Sequence, residues 1–400
     1  MIRLFVGLDV SKDNLTCVVK DDRNNLIMPA RIYNHDRLDL EKLNQDIGTL
    51  ENQFDCLSII GMEATGIYHL GAYQQLLKAD RYVKVFNALE LKRFKSRIRK
   101  TKTDKLDAEV IAEALLLERD PGYHQIAEAE LMRIRELCRM RERLVKRITL
   151  CKNQTIRDMD VLCRGYSNLF TNILSPSSIE IMKAAFRKTR LFRIETDIMV
   201  RILNRYMSIT AAEKKAKQLS DLFKNAVVPE YMRDPCIMEL HMLIQQYIIL
   251  KQHKNRIEKV IEKHVLNTDT HLLSIPGVGA LTAGVILGEL GDLKRFKSHN
   301  QLTAFAGLDP SVMMSGRTHR TGHISKRGSP LLREALYQAA LVASNKNPVC
   351  RQFYQRLKGN GKHHKVCLVA VARKLLHIAY SVETKQKDFY IPNYITENQA

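Results

Sequence analysis

Apolar positions alternate or run in short blocks through the first 120 residues, then settle into helical spacing for most of the remaining chain. Phe5 to Leu8 reads as a strand closing on Asp9, and Leu57 to Met62 as a second strand closing on Glu63. Leu15 to Val19 and Leu26 to Ile32, joined through Asp21-Asp22-Arg23-Asn24-Asn25, predict an antiparallel pair. Helices are predicted over Leu38 to Leu50, Ile67 to Leu77 and Asp104 to Leu117, with a strand from Tyr82 to Phe86. Strand, hairpin, helix, strand, helix is the order of an RNase H-like sheet, an analogy of fold that does not by itself fix a function.

After Pro121-Gly122 the periodicity is helical. Leu131, Ile134, Leu137, Leu144 and Ile148 form one apolar seam, and Leu240, Leu243, Tyr247, Ile257, Val260 and Ile261 form another. Two long helices with narrow seams predict an antiparallel coiled-coil arm, or equally a plain helical bundle. The intervening Tyr166 to Asp234 is helical with a break at Ser175-Pro176-Ser177-Ser178, and no task can be assigned to it. At Ile275-Pro276-Gly277-Val278-Gly279 the character shifts. Gly277 and Gly279 permit a tight turn whose free amides, opening a helix, can hold a backbone phosphate, as in a helix-hairpin-helix element. Simple helix packing explains the same glycines. The expected fold is α/β plus all-α, with domains at 1–120, 121–265 and 266–400.

Charge narrows the partner. Lys+Arg 64 against Asp+Glu 43 leaves +21 at pH 7, the electrostatic footprint of a phosphate-rich partner, and nucleic acid fits better than an anionic membrane surface. No apolar run is long enough to span a bilayer and no signal peptide precedes Ile2-Arg3, so a cytoplasmic, nucleoid-associated protein is expected. Eight scattered cysteines without a CxxC pair argue against a zinc ribbon or a disulfide framework. His363-His364, between Lys362 and Lys365, reads as basic surface.

Candidate chemistry gathers in two places. Ligands of α/β sheets sit outside the carboxyl ends of the strands, where Asp9 and Glu63 fall, and Asp104 and Asp107 share one face of a predicted helix. Four carboxylates so placed would repel one another unless a hard cation, Mg²⁺ or Mn²⁺, neutralised them. Taken singly, each is as well explained as a solvated surface acid or a helix-start acid. Around Asp104, Lys92, Arg93, Lys95, Arg97, Arg99, Lys100 and Lys102 before it and Lys105 after it form a basic run suited to tracking a phosphate backbone. The second place is a loop-forming stretch in which Arg317, His319, Arg320, His323, Lys326, Arg327 and Arg333 surround Ser315. Cations that hold a phosphate against a hydroxyl can make it a phosphoryl acceptor, although Ser311, Ser325 and Ser329 compete for that role.

These residues carry a family resemblance. Gly-Leu-Asp-Val-Ser-Lys at 7–12, Glu-Ala-Thr-Gly at 63–66, Lys-Thr-Asp-Lys-Leu-Asp-Ala at 102–108, Ile-Pro-Gly-Val-Gly at 275–279, Ala-Gly-Leu-Asp-Pro at 306–310, Ser-Gly at 315–316 and Ile-Ser-Lys-Arg-Gly at 324–328 stand in order along nearly the whole chain. Together they resemble the DEDD transposases, the recombinases of the insertion-sequence group one-hundred-and-ten. The resemblance implies a RuvC-like N-terminal domain, a coiled-coil arm and a mainly helical C-terminal transposase domain. It makes Asp9, Glu63, Asp104 and Asp107 the Mg²⁺-binding tetrad, with no nucleotide cofactor, and Ser315 the nucleophile of a covalent phosphoserine intermediate. It further implies donor and target DNA, a structured noncoding bridge RNA as guide, and a tetramer. The residues by themselves leave two rivals: a RuvC-like nuclease that hydrolyses DNA, and a nucleic-acid-binding scaffold without catalysis.

Overall fold

The computed structural model describes residues 3–63, 67–86, 91, 104–117, 128–186, 192–315 and 318–390, with backbone alone at 104–105, 128–129, 311–315 and 318–323. The chain divides into two compact units, Met1–Ala129 and Glu130–Ala400.

In the first unit, strands β1 (Arg3–Val10), β2 (Asn14–Lys20), β3 (Leu26–Asn34), β4 (Leu57–Glu63) and β5 (Tyr82–Phe86) form one sheet in the order β3-β2-β1-β4-β5. The β1, β2 and β3 pairings are antiparallel, whereas β4 runs parallel to both β1 and β5. Helix α1 (Arg37–Phe54) starts where the Asp36 carboxylate accepts from the Asp39 amide at 2.9 Å, and it buries Leu40, Leu43 and Ile47. It covers one face of the sheet, where Tyr33 of β3 donates its hydroxyl to Asp46 at 2.7 Å. Helix α2 (His69–Lys78) packs by β5. Helix α3 (Asp104–Leu117) covers the opposite face: Ile111, Ala114 and Leu115 share a core with Phe5, Ile59, Phe86 and Leu91.

The second unit is mostly helical. Helices α4 (Glu128–Leu162) and α8 (Glu230–Leu266) lie antiparallel, as their side-chain contacts require. Glu130 meets His264, Arg141 meets Glu258 at 2.7 Å, and Arg157 meets Glu239 at 2.7 Å, so numbers rise on one helix as they fall on the other. Between them α5 (Pro176–Ala185), α6 (Thr196–Asn204) and α7 (Ile209–Lys224) build a module with its own core, centred on the rings of Tyr166, Phe170, Phe186, Phe192 and Phe223. The stretch for which sequence offered no task is therefore a packed helical insertion.

At the other end of the pair, α9 (Ala280–Leu290), α10 (His299–Ala306), strands β6 (Pro310–Ser315) and β7 (Thr318–Ile324), α11 (Pro330–Lys346), α12 (Pro348–Gly359) and α13 (His364–Lys385) follow in order. One core joins Ile134, Cys138, Ile261 and Val265 of the long helices to α9, α11 and α13. Two glycines let α9 approach closely. A Cβ on Gly284 would stand 3.0 Å from Ile261, and one on Gly288 2.7 Å from the Arg135 backbone. Beside Gly288, Glu289 is almost fully buried and accepts from the Arg139 guanidinium at 2.9 and 3.4 Å.

Candidate functional site

Strand alternation sets the acidic residues. Side chains two apart on a strand share a face, so Phe5, Gly7 and Asp9 point the same way from β1, and Ile59, Gly61 and Glu63 do so from β4. That face is the one α3 covers. A Cβ built on Gly7 would lie 2.0 Å from the Ala108 carbonyl oxygen and 2.7 Å from the Ala112 nitrogen. One on Gly61 would lie 2.8 Å from Ile111 and 2.9 Å from Leu115. The glycines are what allow the helix backbone to lie on the strands.

The direction of α3 comes from the same contacts. Ile111 and Leu115 reach Gly61 and share a core with Phe5 and Ile59, earlier in the strands, while Ala108 sits over Gly7. Lys20, opposite Phe5 in the ladder, gives the direction: its ammonium lies 2.5 Å from Glu113, later on the helix than Ala108 and earlier along β1 than Gly7. The helix therefore runs against β1 and brings its N-terminal end to the strand ends bearing Asp9 and Glu63. Asp107, one residue before Ala108, is buried there at 8 % exposure. Asp9 lies opposite the buried Thr16, and Glu63 opposite Phe86. Asp104 opens the helix, three residues before Asp107.

Asp9, Glu63 and Asp107 each have an interaction partner. Among the described residues no three His, Cys, Asp or Glu side chains are gathered closely enough to enclose an ion, and the Asp104 side chain lies outside those described. As donors the acids are all hard oxygens, which suits Mg²⁺ or Mn²⁺ and disfavours soft metals. The basic run Lys92, Arg93, Lys95, Arg97, Arg99, Lys100 and Lys102 falls outside the described residues.

Around Ser315 the backbone is held firmly at the base of its hairpin. Ser315 ends β6 and pairs with Thr318 across the turn, and the turn residues Gly316 and Arg317 lie outside the described part. Segment 305–309 clasps 325–328. The Ser325 amide donates to the Asp309 carbonyl at 2.9 Å, and the Lys326 amide to the Gly307 carbonyl at 3.1 Å. Gly307, at φ +67°, and Gly328 have no room for a side chain: a Cβ would meet the Arg327 nitrogen at 2.6 Å and the Phe305 oxygen at 2.0 Å respectively. Arg333 closes the clasp by donating to the Gly328 carbonyl at 2.6 Å and the Ala306 carbonyl at 3.3 Å.

Two of the competing serines have structural duties. Ser325 donates its hydroxyl to the Asp309 carboxylate, and Ser329 caps α11 by accepting from the Leu332 amide at 3.3 Å. Lys326 and Arg327 are exposed at the hairpin base, and Arg320 lies on β7. Gly277 and Gly279 separate in role. Gly277, at φ +101°, packs its Cα against Ala343 of α11, where a Cβ would approach to 2.7 Å, whereas Gly279 faces open space at the start of α9. Sequence reasoning overlooked Gly7 and Gly61 as determinants of the acidic face. A glycine in the middle of each strand was the available signal.

Two family models match. A DEDD transposase model covers residues 6–163, and a model described as the transposase IS116/IS110/IS902 family covers residues 269–355. The chain belongs to the IS110 transposase family. Within it, the transposase for insertion sequence element IS1328 of Yersinia enterocolitica is 33 % identical over 179 residues, 42 % of this chain and 51 % of that protein. The pilin gene-inverting protein of Moraxella bovis is 35 % identical over 120 residues, 30 % of this chain and 37 % of its own length. The 44.8 kDa protein of insertion element IS116 from Streptomyces clavuligerus is 22 % identical over 403 residues, covering 98 % of this chain and 96 % of that protein. The chain spans between about a third and a half of the first curated relatives it matches, 31 %, 37 % and 51 %. Of the two IS110-family models, the first contains Asp9, Glu63, Asp104 and Asp107, and the second contains Gly277, Gly279, Ser315 and the hairpin cations. Residues 164–268, which include the inserted helical module, lie between the two matched stretches. Among the described residues no helix is long and apolar enough to cross a membrane.

Proposed function

We propose that the chain is a DNA transposase or recombinase that cleaves and exchanges strands through a RuvC-like acidic site and a covalent phosphoserine at Ser315. What supports this reading is that Asp9 and Glu63 close the neighbouring strands β1 and β4 on the sheet face that α3 covers, with Asp107 buried near the start of that helix. The β3-β2-β1-β4-β5 order, with its antiparallel half and parallel half, supports an RNase H-like assignment. The transposase and the gene-inverting protein among the relatives support DNA strand exchange as the task.

A divalent cation bound by the four acids would supply Lewis-acid polarisation of the scissile phosphate and stabilise its developing charge. In support, Asp9 and Glu63 stand at the ends of β1 and β4, and Asp107 lies on the helix that Gly7 and Gly61 admit. Ser315 attacks phosphorus in line, forming the Oγ–P bond as the P–O3′ bond breaks, and the departing oxygen leaves as a 3′ hydroxyl. The phosphodiester energy is retained on the serine, so religation to a new partner needs no nucleotide cofactor. Donor and target DNA, a structured bridge RNA and a tetramer complete the proposal on the family resemblance, and the charge of +21 supports nucleic-acid partners.

Trapping tests it. Denatured reactions with Mg²⁺ and end-labelled DNA should contain a protein–DNA adduct that disappears in Ser315→Ala and in Asp9→Asn, with DNA binding largely kept in both. Free cleaved ends without adduct would instead favour hydrolysis, and unchanged products in Asp9→Asn would favour a scaffold.

A further inference from the structure

The hairpin that carries Ser315 shares its core with a surface that the acidic site and the hairpin cations leave unused. Between Glu334 and Glu383 the chain has no acid, yet it carries eight Lys or Arg together with His363, His364 and His377. An acid-free stretch of that length in a folded region is unusual, since solvated helices normally mix both signs.

The structure concentrates these charges on the α12–α13 corner. Arg356 and every residue from Lys358 to Val366 are exposed. Arg356 of α12 and Lys374 of α13 flank the Phe353 ring at 5.3 and 5.2 Å, so cations from both helices gather about one aromatic. Tyr354 and His364 tie the two helices together by a 2.7 Å hydrogen bond. Arg351 is already committed to the Asn345 carbonyl at 3.1 Å. Among the described residues none of Arg356, Lys358, Lys362 or Lys365 is paired with a carboxylate. The corner itself is Gly359-Asn360-Gly361, with Gly361 at φ +73° and nothing within 4 Å of a Cβ on either glycine, so another backbone can come close.

We infer that the α12–α13 corner is a docking surface for the sugar-phosphate backbone of duplex DNA. Uncompensated like charges held on a rigid corner cost free energy through mutual repulsion, and a polyanion relieves it by releasing its own counterions. Duplex DNA is the occupant because Cys350, Leu368, Val371 and Leu375 of this corner share one core with Leu308 and Ile324 at the base of the Ser315 hairpin. A duplex whose phosphate reaches that hairpin then has a rigid partner on the same body. This choice of occupant rests on the proposed function.

The test is salt-dependent anisotropy of a labelled 30-base-pair duplex on the full chain, comparing wild type with Lys358→Gln/Lys362→Gln/Lys365→Gln. Each lost phosphate contact lowers the slope of log K against log [salt] by about 0.9, so the triple variant should lose about 2.7. Over a fourfold rise in salt, wild type should then lose affinity about 40-fold more than the variant does. A charge-matched control, Arg256→Gln/Lys259→Gln/Lys263→Gln on the exposed side of α8, should leave the slope nearly unchanged. An unchanged slope in the corner variant, an equal loss in the control, or a loss confined to RNA overturns the inference. Adduct formation by Ser315 is scored separately: a chain that binds through this corner yet never forms the adduct sinks the proposed function and leaves the surface standing.

Discussion

Gly7→Ala is the sharpest probe of how the acidic face is built. The added methyl carbon would stand 2.0 Å from the Ala108 carbonyl oxygen, and ordinary contact begins at 3.4 Å, so α3 must retreat by about 1.4 Å. Both obstructing groups, the Ala108 oxygen and the Ala112 nitrogen, are helix backbone, and no rotamer change relieves them. Overpacking of this kind costs about 1–3 kcal/mol, and backbone obstruction puts it toward the upper end. The chemistry should suffer more than the fold, because Asp107 is adjacent to Ala108 and moves with it. A misplacement of about 1 Å in a reacting constellation costs on the order of 100-fold. Gly61→Ala supplies the internal comparison: its methyl meets only the side chains of Ile111 and Leu115, at 2.8 to 3.0 Å, and Leu115 can change rotamer. Measured together, denaturant unfolding should rank Gly7→Ala below Gly61→Ala, and adduct formation should fall about 100-fold in the first and far less in the second. Equal stability and equal activity of the two variants would show that α3 does not rest on β1 in this way, and the derived placement of Asp107 would fall with it.

Two further outcomes concern the second unit. His377 is pushed down to about 4 by burial and by the neighbouring charges of His299, Arg373 and Lys374, while its Nε2 lies 2.8 Å from the Thr303 hydroxyl. A histidine depressed in the folded state contributes stability above its unfolded value near 6.5 and loses it as pH falls toward 4. Solvent screening at this part-buried ring reduces the full effect to about 1–2 kcal/mol. The expected result is a steeper fall in unfolding midpoint between those pH values in wild type than in His377→Gln, and parallel curves would contradict it. Glu289→Gln removes the carboxylate that holds Arg139 at 2.9 Å and lies near Arg135 at 3.9 Å, with its own side chain only 4 % exposed. Because Arg139 retains partial access to water, the loss should be about 1–3 kcal/mol. An unmoved denaturation midpoint would mean that the buried acid contributes no net stability there.

The sequence determined the elements because their signals are local. Period-two runs ending on Asp9 and Glu63, the hairpin at Asp21–Asn25, the helix opening at Asp104 and the helical seams after Pro121 are each written within a few residues of themselves. Ordered motifs also carried the IS110-family assignment, which the family models bear out. Other features were decided only by the fold, because they depend on which distant segments pack together. Gly7 and Gly61 acquire meaning when α3 lies on them, and Ser325 and Ser329 find their hydrogen-bond partners in Asp309 and the Leu332 amide. Gly277 and Gly279 look alike in sequence, yet one is pressed against Ala343 and the other opens to solvent. The inserted module of α5 to α7 is the clearest case: its aromatic residues are scattered from Tyr166 to Phe223, and only tertiary packing makes them a core.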